Sequence, residues 1–161
     1  MHEVEALIAK TDHLATAARK FETATICPLT QGFSLLPITD ALAKELLGSR
    51  SETEDAPTRP PLEYPSDGLH ALAVVISHDT PVAYISTFYF GGQGRQDAVV
   101  WDKGSVRFSP LTTGYSQGWP NSSISQALRM MGVIAEGGQD EFDSLGLGKH
   151  RKTHRWAESA K

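Results

Sequence analysis

Residues 69–108, LHALAVVISHDTPVAYISTFYFGGQGRQDAVVWDKGSVRF, constrain the fold more than any other stretch of the chain. They hold its densest apolar content, most of its β-branched and aromatic residues, and its clearest turn signals. Residues 69–76 form an almost unbroken apolar run of strand length, which predicts a strand buried on both faces. His78, Asp79, Thr80 and Pro81 then turn the chain, because Pro81 fixes φ and Asp79 bonds its own backbone. Residues 82–90 predict a second strand, rich in side chains that suit a pleated surface. Residues 97–101 and 105–108 flank Asp102-Lys103-Gly104, a tight hairpin with Gly104 supplying positive φ. Together they predict a four-stranded antiparallel meander.

The rest of the chain is read as cover for that sheet. Val4, Leu7, Ile8, Leu14, Ala15, Ala18 and Phe21 recur at helical spacing, with Glu3, Glu5, Lys10, Asp12, Arg19 and Lys20 opposite. This predicts an amphipathic helix over residues 3–22, acidic early and basic late as the helix dipole favours. Residues 25–36 mix β-formers with Pro28 and Gly32, so they read as a loose edge strand. Thr39 caps a short helix running to about residue 47, and Gly48 ends it. Residues 49–68 hold Glu52, Glu54, Asp55, Pro57, Pro60, Pro61 and Pro65 and form a polar surface loop. Asn121, Ser122 and Ser123 cap a helix carrying Ile124, Ala127, Leu128 and Met131, stopped by Gly132. Residues 140–161 make a charged C-terminal segment. The expected fold is α+β: one antiparallel sheet of four to five strands, with two or three helices packed mainly on one face.

A chain of 161 residues with 40% hydrophobic and 21% charged residues fits a single globular domain with a real core. The net charge of −4 draws it to neither nucleic acid nor lipid. The single cysteine, Cys27, allows no intramolecular disulfide and fits a reducing compartment. The opening MHEVEALIAK lacks the basic start and apolar core of a secretory signal. No segment approaches the roughly 20 apolar residues of a membrane-spanning helix. A cytoplasmic protein is expected.

Motifs for chemistry are sparse. Gly91, Gly92 and Gly94 follow a strand, but Gln96 stands where a dinucleotide-binding turn needs its third glycine. Gly146, Gly148 and Lys149 lack the spacing of a phosphate-binding loop. Cys27 sits between Ile26 and Pro28 like a small buried hydrophobe, and no Gly-x-Ser-x-Gly elbow occurs. No cofactor and no metal are expected. One rival reading stays open: His150 and His154, four apart, share a face if helical, and Asp143 would complete a metal-dependent site. A second is nucleic-acid binding by Lys149, His150, Arg151, Lys152, His154 and Arg155.

Several segments carry a family resemblance. They are FGGQGRQ with AVVW (90–101), LPITD (36–40), ISQALR with Gly132-Val133, and DEFD with LGLGKHR and Trp156 (140–156). Together they resemble small bacterial proteins of the immunity type that accompany secreted polymorphic toxins. The resemblance implies an intracellular, non-catalytic, stoichiometric inhibitor of a protein partner, and it brings no catalytic residue. An acidic chain suits a basic toxin domain by electrostatic steering. Expected partner contacts are Tyr89, Gln93, Arg95, Tyr115 and Trp119 around the glycine turn and the loop beyond it, with Asp140, Glu141, Asp143, His150 and Arg151 in the charged segment.

Overall fold

The computed structural model describes residues 2–48, 66–90, 93–109 and 122–161. Its strands are β1 (His2–Lys10), β2 (Cys27–Pro28), β3 (Phe33–Pro37), β4 (Val82–Phe90), β5 (Gln93–Asp102) and β6 (Ser105–Phe108). Its helices are α1 (Thr11–Ala18), α2 (Asp40–Gly48), α3 (Asp67–Ser77), α4 (Ser123–Met130), α5 (Glu141–Leu145) and α6 (Thr153–Ser159), with a 3₁₀ turn at Leu147–Lys149. The strands form one six-stranded sheet in the order β2-β3-β1-β4-β5-β6. Every neighbouring pair is antiparallel.

The expected α+β class and antiparallel sheet hold, and the sheet is larger than expected. Its helices lie on both faces instead of mainly on one. Leu7, Ala9, Leu36, Tyr84, Val99 and Trp101 turn to one face, where α1, α2 and α3 pack with Leu14, Leu42, Leu46, Leu69 and Ile76. Val4, Ala6, Ile8, Leu35, Ile85 and Val100 turn to the other, against Ile124, Leu128, Leu145, Leu147 and Trp156 from α4 to α6. With both faces covered, the central strands lose their polar alternation and read as continuous apolar runs.

Two elements exchange identity with the expectation. Residues 69–76 are not a strand but the body of α3. Ser66 caps it by accepting Leu69 N–H at 3.3 Å, and Leu69, Leu72, Ala73 and Ile76 are buried at helical spacing, whereas Val75 is 53% exposed. Gly68 lets α3 approach α2, since a Cβ there would stand 2.6 Å from the Leu46 carbonyl oxygen. The N-terminal segment is not one helix. Residues 2–10 form the central strand, pairing Ala6 with Pro37 on one side and Ile85 on the other, and the helix starts only at Thr11.

The expected β5–β6 hairpin forms, with Lys103 at φ 52° and Gly104 at φ 82°, the two left-handed positions of a type I′ turn. β3 leaves β1 at Ala6, so residues 2–5 need another neighbour along that edge. The C-terminal chain supplies it. Glu3 N–H donates to the Arg151 carbonyl at 2.7 Å, and Glu5 N–H donates to Thr153 Oγ1 at 3.0 Å.

Candidate functional site

β1 enters the sheet beside the end of β4 and the start of β5. The register sets His2 opposite Tyr89, Glu3 opposite Phe88, and Glu5 opposite Ser86; across the next pair Phe88 faces Arg95 and Phe90 faces Gln93. This end of the sheet carries two concavities, one on each face.

The first is a cleft of about 280 Å³ bounded by β1, β4, the start of α2 and the start of α6. Three carboxylates line it: Glu3, Glu5 and Asp40. Glu3 pairs with Lys152 Nζ at 3.2 Å. Glu5 is different. Burial pushes its carboxyl above the ordinary carboxylate range, and the neighbouring Asp40 charge adds to this, against a hydrogen bond donated by the Tyr84 hydroxyl. Tyr84 is buried, and that burial together with Glu5 pushes its phenol well up, so it stays a neutral donor. Ser86 in turn donates to Tyr84, so the buried phenol links Ser86 and Glu5, both of which line the cleft. Phe88 stands at the rim, 41% exposed.

The second concavity, about 240 Å³, lies on the opposite face and is lined by His2, Thr87, Gln96, Ser125, Asp140 and Phe142 among others. Asp140 caps α5, its Oδ1 accepting Asp143 N–H at 2.8 Å. Gln96 Oε1 accepts Ile124 N–H at 3.3 Å and ties α4 to β5.

The register puts the backbone of Tyr89, Gln93 and Arg95 at this end of the sheet, Asp140 borders the second concavity, and the Arg151 carbonyl accepts from Glu3 N–H. Tyr115 and Trp119 lie outside the described residues. Glu141 is 3% exposed and accepts from Arg129 Nε at 2.9 Å, so it holds α5 to α4 inside the protein. Asp143 is exposed, while His150 stacks edge-on against the buried Trp156 ring with centroids 4.8 Å apart.

The shared helix that His150 and His154 would need does not form. His150 is extended at φ −129°, after the 3₁₀ turn, and α6 begins only at Thr153. Among the described residues, no three His, Cys, Asp or Glu side chains are grouped to hold a metal ion. Within the basic run, Lys152 pairs with Glu3 and Arg155 with Glu158. Cys27 is buried, its Sγ donating to the Trp156 carbonyl at 3.1 Å, and burial pushes its thiol up.

The sequence reads Glu3 and Glu5 as a solvated helix face, Phe88 as a core residue, and gives His2 and Asp40 no site role, whereas Phe88 is 41% exposed at the cleft rim. The alternation Glu3-Val4-Glu5-Ala6 was the available signal for a strand here. Among the described residues, no helix is long and apolar enough to cross a membrane. No protein-family model, curated protein or solved structure matches the chain.

Proposed function

We propose that this chain is a non-catalytic protein-binding module of the toxin-immunity type, and that it engages a basic partner through the acidic cleft at the His2 end of the sheet. The observation that carries the reading is the juxtaposition of Glu3, Glu5 and Asp40 with the exposed ring of Phe88. Lys152, paired with Glu3, also lines the cleft, and an aromatic anchor beside Asp40 and this pair suits an arginine- or lysine-bearing surface, with Asp40 and Glu3 steering encounter and the ring holding the complex. Tyr89, Gln93, Arg95, Asp140 and Arg151, expected contacts on other grounds, cluster at the same end.

Affinity capture on the immobilised full chain, followed by reconstitution of the pair from purified components, tests this. The expected result is a basic protein bound one to one, released by salt, and lost when Glu3→Lys and Phe88→Ala are combined. Capture of no protein, with turnover of a small molecule instead, refutes it. So does a partner whose binding ignores both salt and the two substitutions.

A further inference from the structure

Glu5 stands apart from the other acids of the first cleft, because its surroundings oppose its charge. Its carboxyl is part-buried and accepts from the Tyr84 hydroxyl. Asp40, at the start of α2, lies close enough to repel a second negative charge, and Glu3 is two residues along β1. Across the sheet, Ser86 pairs with Glu5 and with Asp97 of β5, a further acid acting on the Tyr84 phenol. The start of α6 brings Lys152 and His154 to the cleft, but Lys152 Nζ stands 3.2 Å from Glu3, and His154 is exposed. Among the described residues, no cation forms a salt bridge with Glu5. Burial and Asp40 therefore let Glu5 keep its proton above the ordinary carboxylate range.

The same cleft offers what a guanidinium uses and an ammonium does not. A guanidinium is planar: its N–H edge forks onto carboxylates while its face lies on an aromatic ring, whereas a lysine ammonium is a compact, strongly hydrated point charge. Here the exposed Asp40 carboxylate and the part-buried Glu5 line one space with Phe88, whose ring is 41% exposed at the rim. At about 280 Å³ that space lies just below the roughly 300–1,000 Å³ of small-molecule clefts, which is room for one side chain.

On the reading of this cleft as the partner-binding site, we propose that its occupant is an arginine side chain of the partner, and that the arginine enters in exchange for the Glu5 proton. Before binding, at mildly acid pH, Glu5 is neutral, which spares the fold a part-buried charge beside Asp40. The arriving guanidinium supplies the missing opposite charge; Glu5 ionises, and its proton passes to solvent. Affinity then rises with pH through the window in which the free carboxyl titrates, by at most about tenfold per pH unit for one proton released.

The test is an NMR titration of the full chain with N-acetyl-arginine amide and N-acetyl-lysine amide, following the amides of Glu5, Thr39, Asp40 and Phe88 at about pH 5.5 and about pH 7.5, both above the ordinary carboxylate range. Glu5→Gln is the comparison, and it keeps an oxygen for the Tyr84 hydroxyl, so it folds. The two proteins should bind the arginine probe alike at the lower pH, and the parent should lead by about three- to tenfold at the higher one. His154 is common to both, so any effect it has cancels in that ratio. The arginine probe should bind at least about threefold more tightly than the lysine probe, and Phe88→Leu should narrow the margin. A parent-to-variant ratio that does not change with pH overturns the proton exchange, and equal binding of the two probes overturns the choice of arginine; a saturable shift at the cleft in either case leaves the protein-binding reading standing. No saturable shift with either probe overturns both halves of the proposal, while the protein-binding reading falls only if a captured basic protein also ignores Glu3→Lys with Phe88→Ala.

Discussion

Ala6 decides whether residues 2–10 are the central strand. On a helix built from Val4, Leu7, Ile8 and Leu14, Ala6 falls on the far, solvated side, and a glutamate there changes stability by less than about 0.5 kcal/mol. In the sheet, Ala6 is 0% exposed, between Pro37 and Ile85 in register and in the core cluster that includes Leu128 and Trp156. Ala6→Glu would bury a carboxylate in an apolar layer, at a cost of roughly 3–5 kcal/mol or more. Against a total stability of about 5–15 kcal/mol, that leaves a marginal or unfolded chain. Ala6→Val grades the effect. Overpacking costs about 1–3 kcal/mol, and in a chain of this length each kcal/mol lowers Tm by about 2–4 °C, so Tm should fall by about 2–12 °C. Thermal and urea unfolding, followed by circular dichroism, measure both variants beside Ala15→Val, a half-buried position on α1. An Ala6→Glu protein that melts with the parent removes β1 from the sheet, and the acidic cleft goes with it.

Other outcomes follow from the same geometry. Glu5 has a folded-state pKa raised above its unfolded value, so the fold favours its protonated form; its contribution is full below the ordinary carboxylate pKa and is lost as pH rises through the raised one. Urea unfolding from about pH 4 to about pH 8 should therefore show Glu5→Gln gaining on the parent as pH rises, and a constant difference refutes the assignment. The native Cys27 thiol should resist a thiol-specific chromogenic reagent until urea unfolds the chain, because it is buried and its pKa is raised; prompt native labelling contradicts its placement under Trp156. Phe88→Ala should cost less than about 1 kcal/mol of stability, since the ring is largely in water, yet abolish partner capture; a large drop in Tm would make Phe88 a core residue.

Much of the fold was legible where local chemistry and tertiary context agree. β4, the Lys103-Gly104 hairpin, and the caps of α2 and α4 stand where turn and cap residues put them, with Thr39 Oγ1 accepting Leu42 N–H at 3.2 Å and Ser122 Oγ accepting Ser125 N–H at 3.3 Å. The two exchanges have one cause. A strand covered on both faces and a helix largely buried both present apolar runs, and periodicity does not separate them over eight or nine residues. Ser66 and Asp67 were the local evidence for a helix start at 66–77, hidden at the end of a proline-rich stretch of sequence. Val4, Leu7 and Ile8 meet helical spacing by coincidence, while every residue from Val4 to Ala9 except Glu5 is fully buried between strands remote in sequence. The site suffered most, since it depends on that pairing. Glu3 meets Phe88 and Lys152 only across 85 and 149 positions of chain, which no local pattern encodes.

The distribution of polar groups along β1 and β4 is what the proposed recognition surface at their shared end requires. From Leu7 to Ala9 the central strand is covered by helices above and below, and Tyr84 and Ile85 beside it are covered too. Within one further turn of the pleat the same strands carry Glu3, Glu5, Ser86, Thr87 and Phe88. An apolar residue at Ser125 would stabilise the fold, because its hydroxyl is buried and unsatisfied, and Glu5 is a partly buried carboxylate beside Asp40. Proteins carry such local costs where binding needs them, and the surrounding core supplies the stability that makes them tolerable. Here that core is the doubly covered middle of the sheet, a few residues away on the same strands. The rigid part and the part that departs from good packing are therefore successive segments of β1 and β4, which sets one wall of the cleft on the best-packed strands of the sheet.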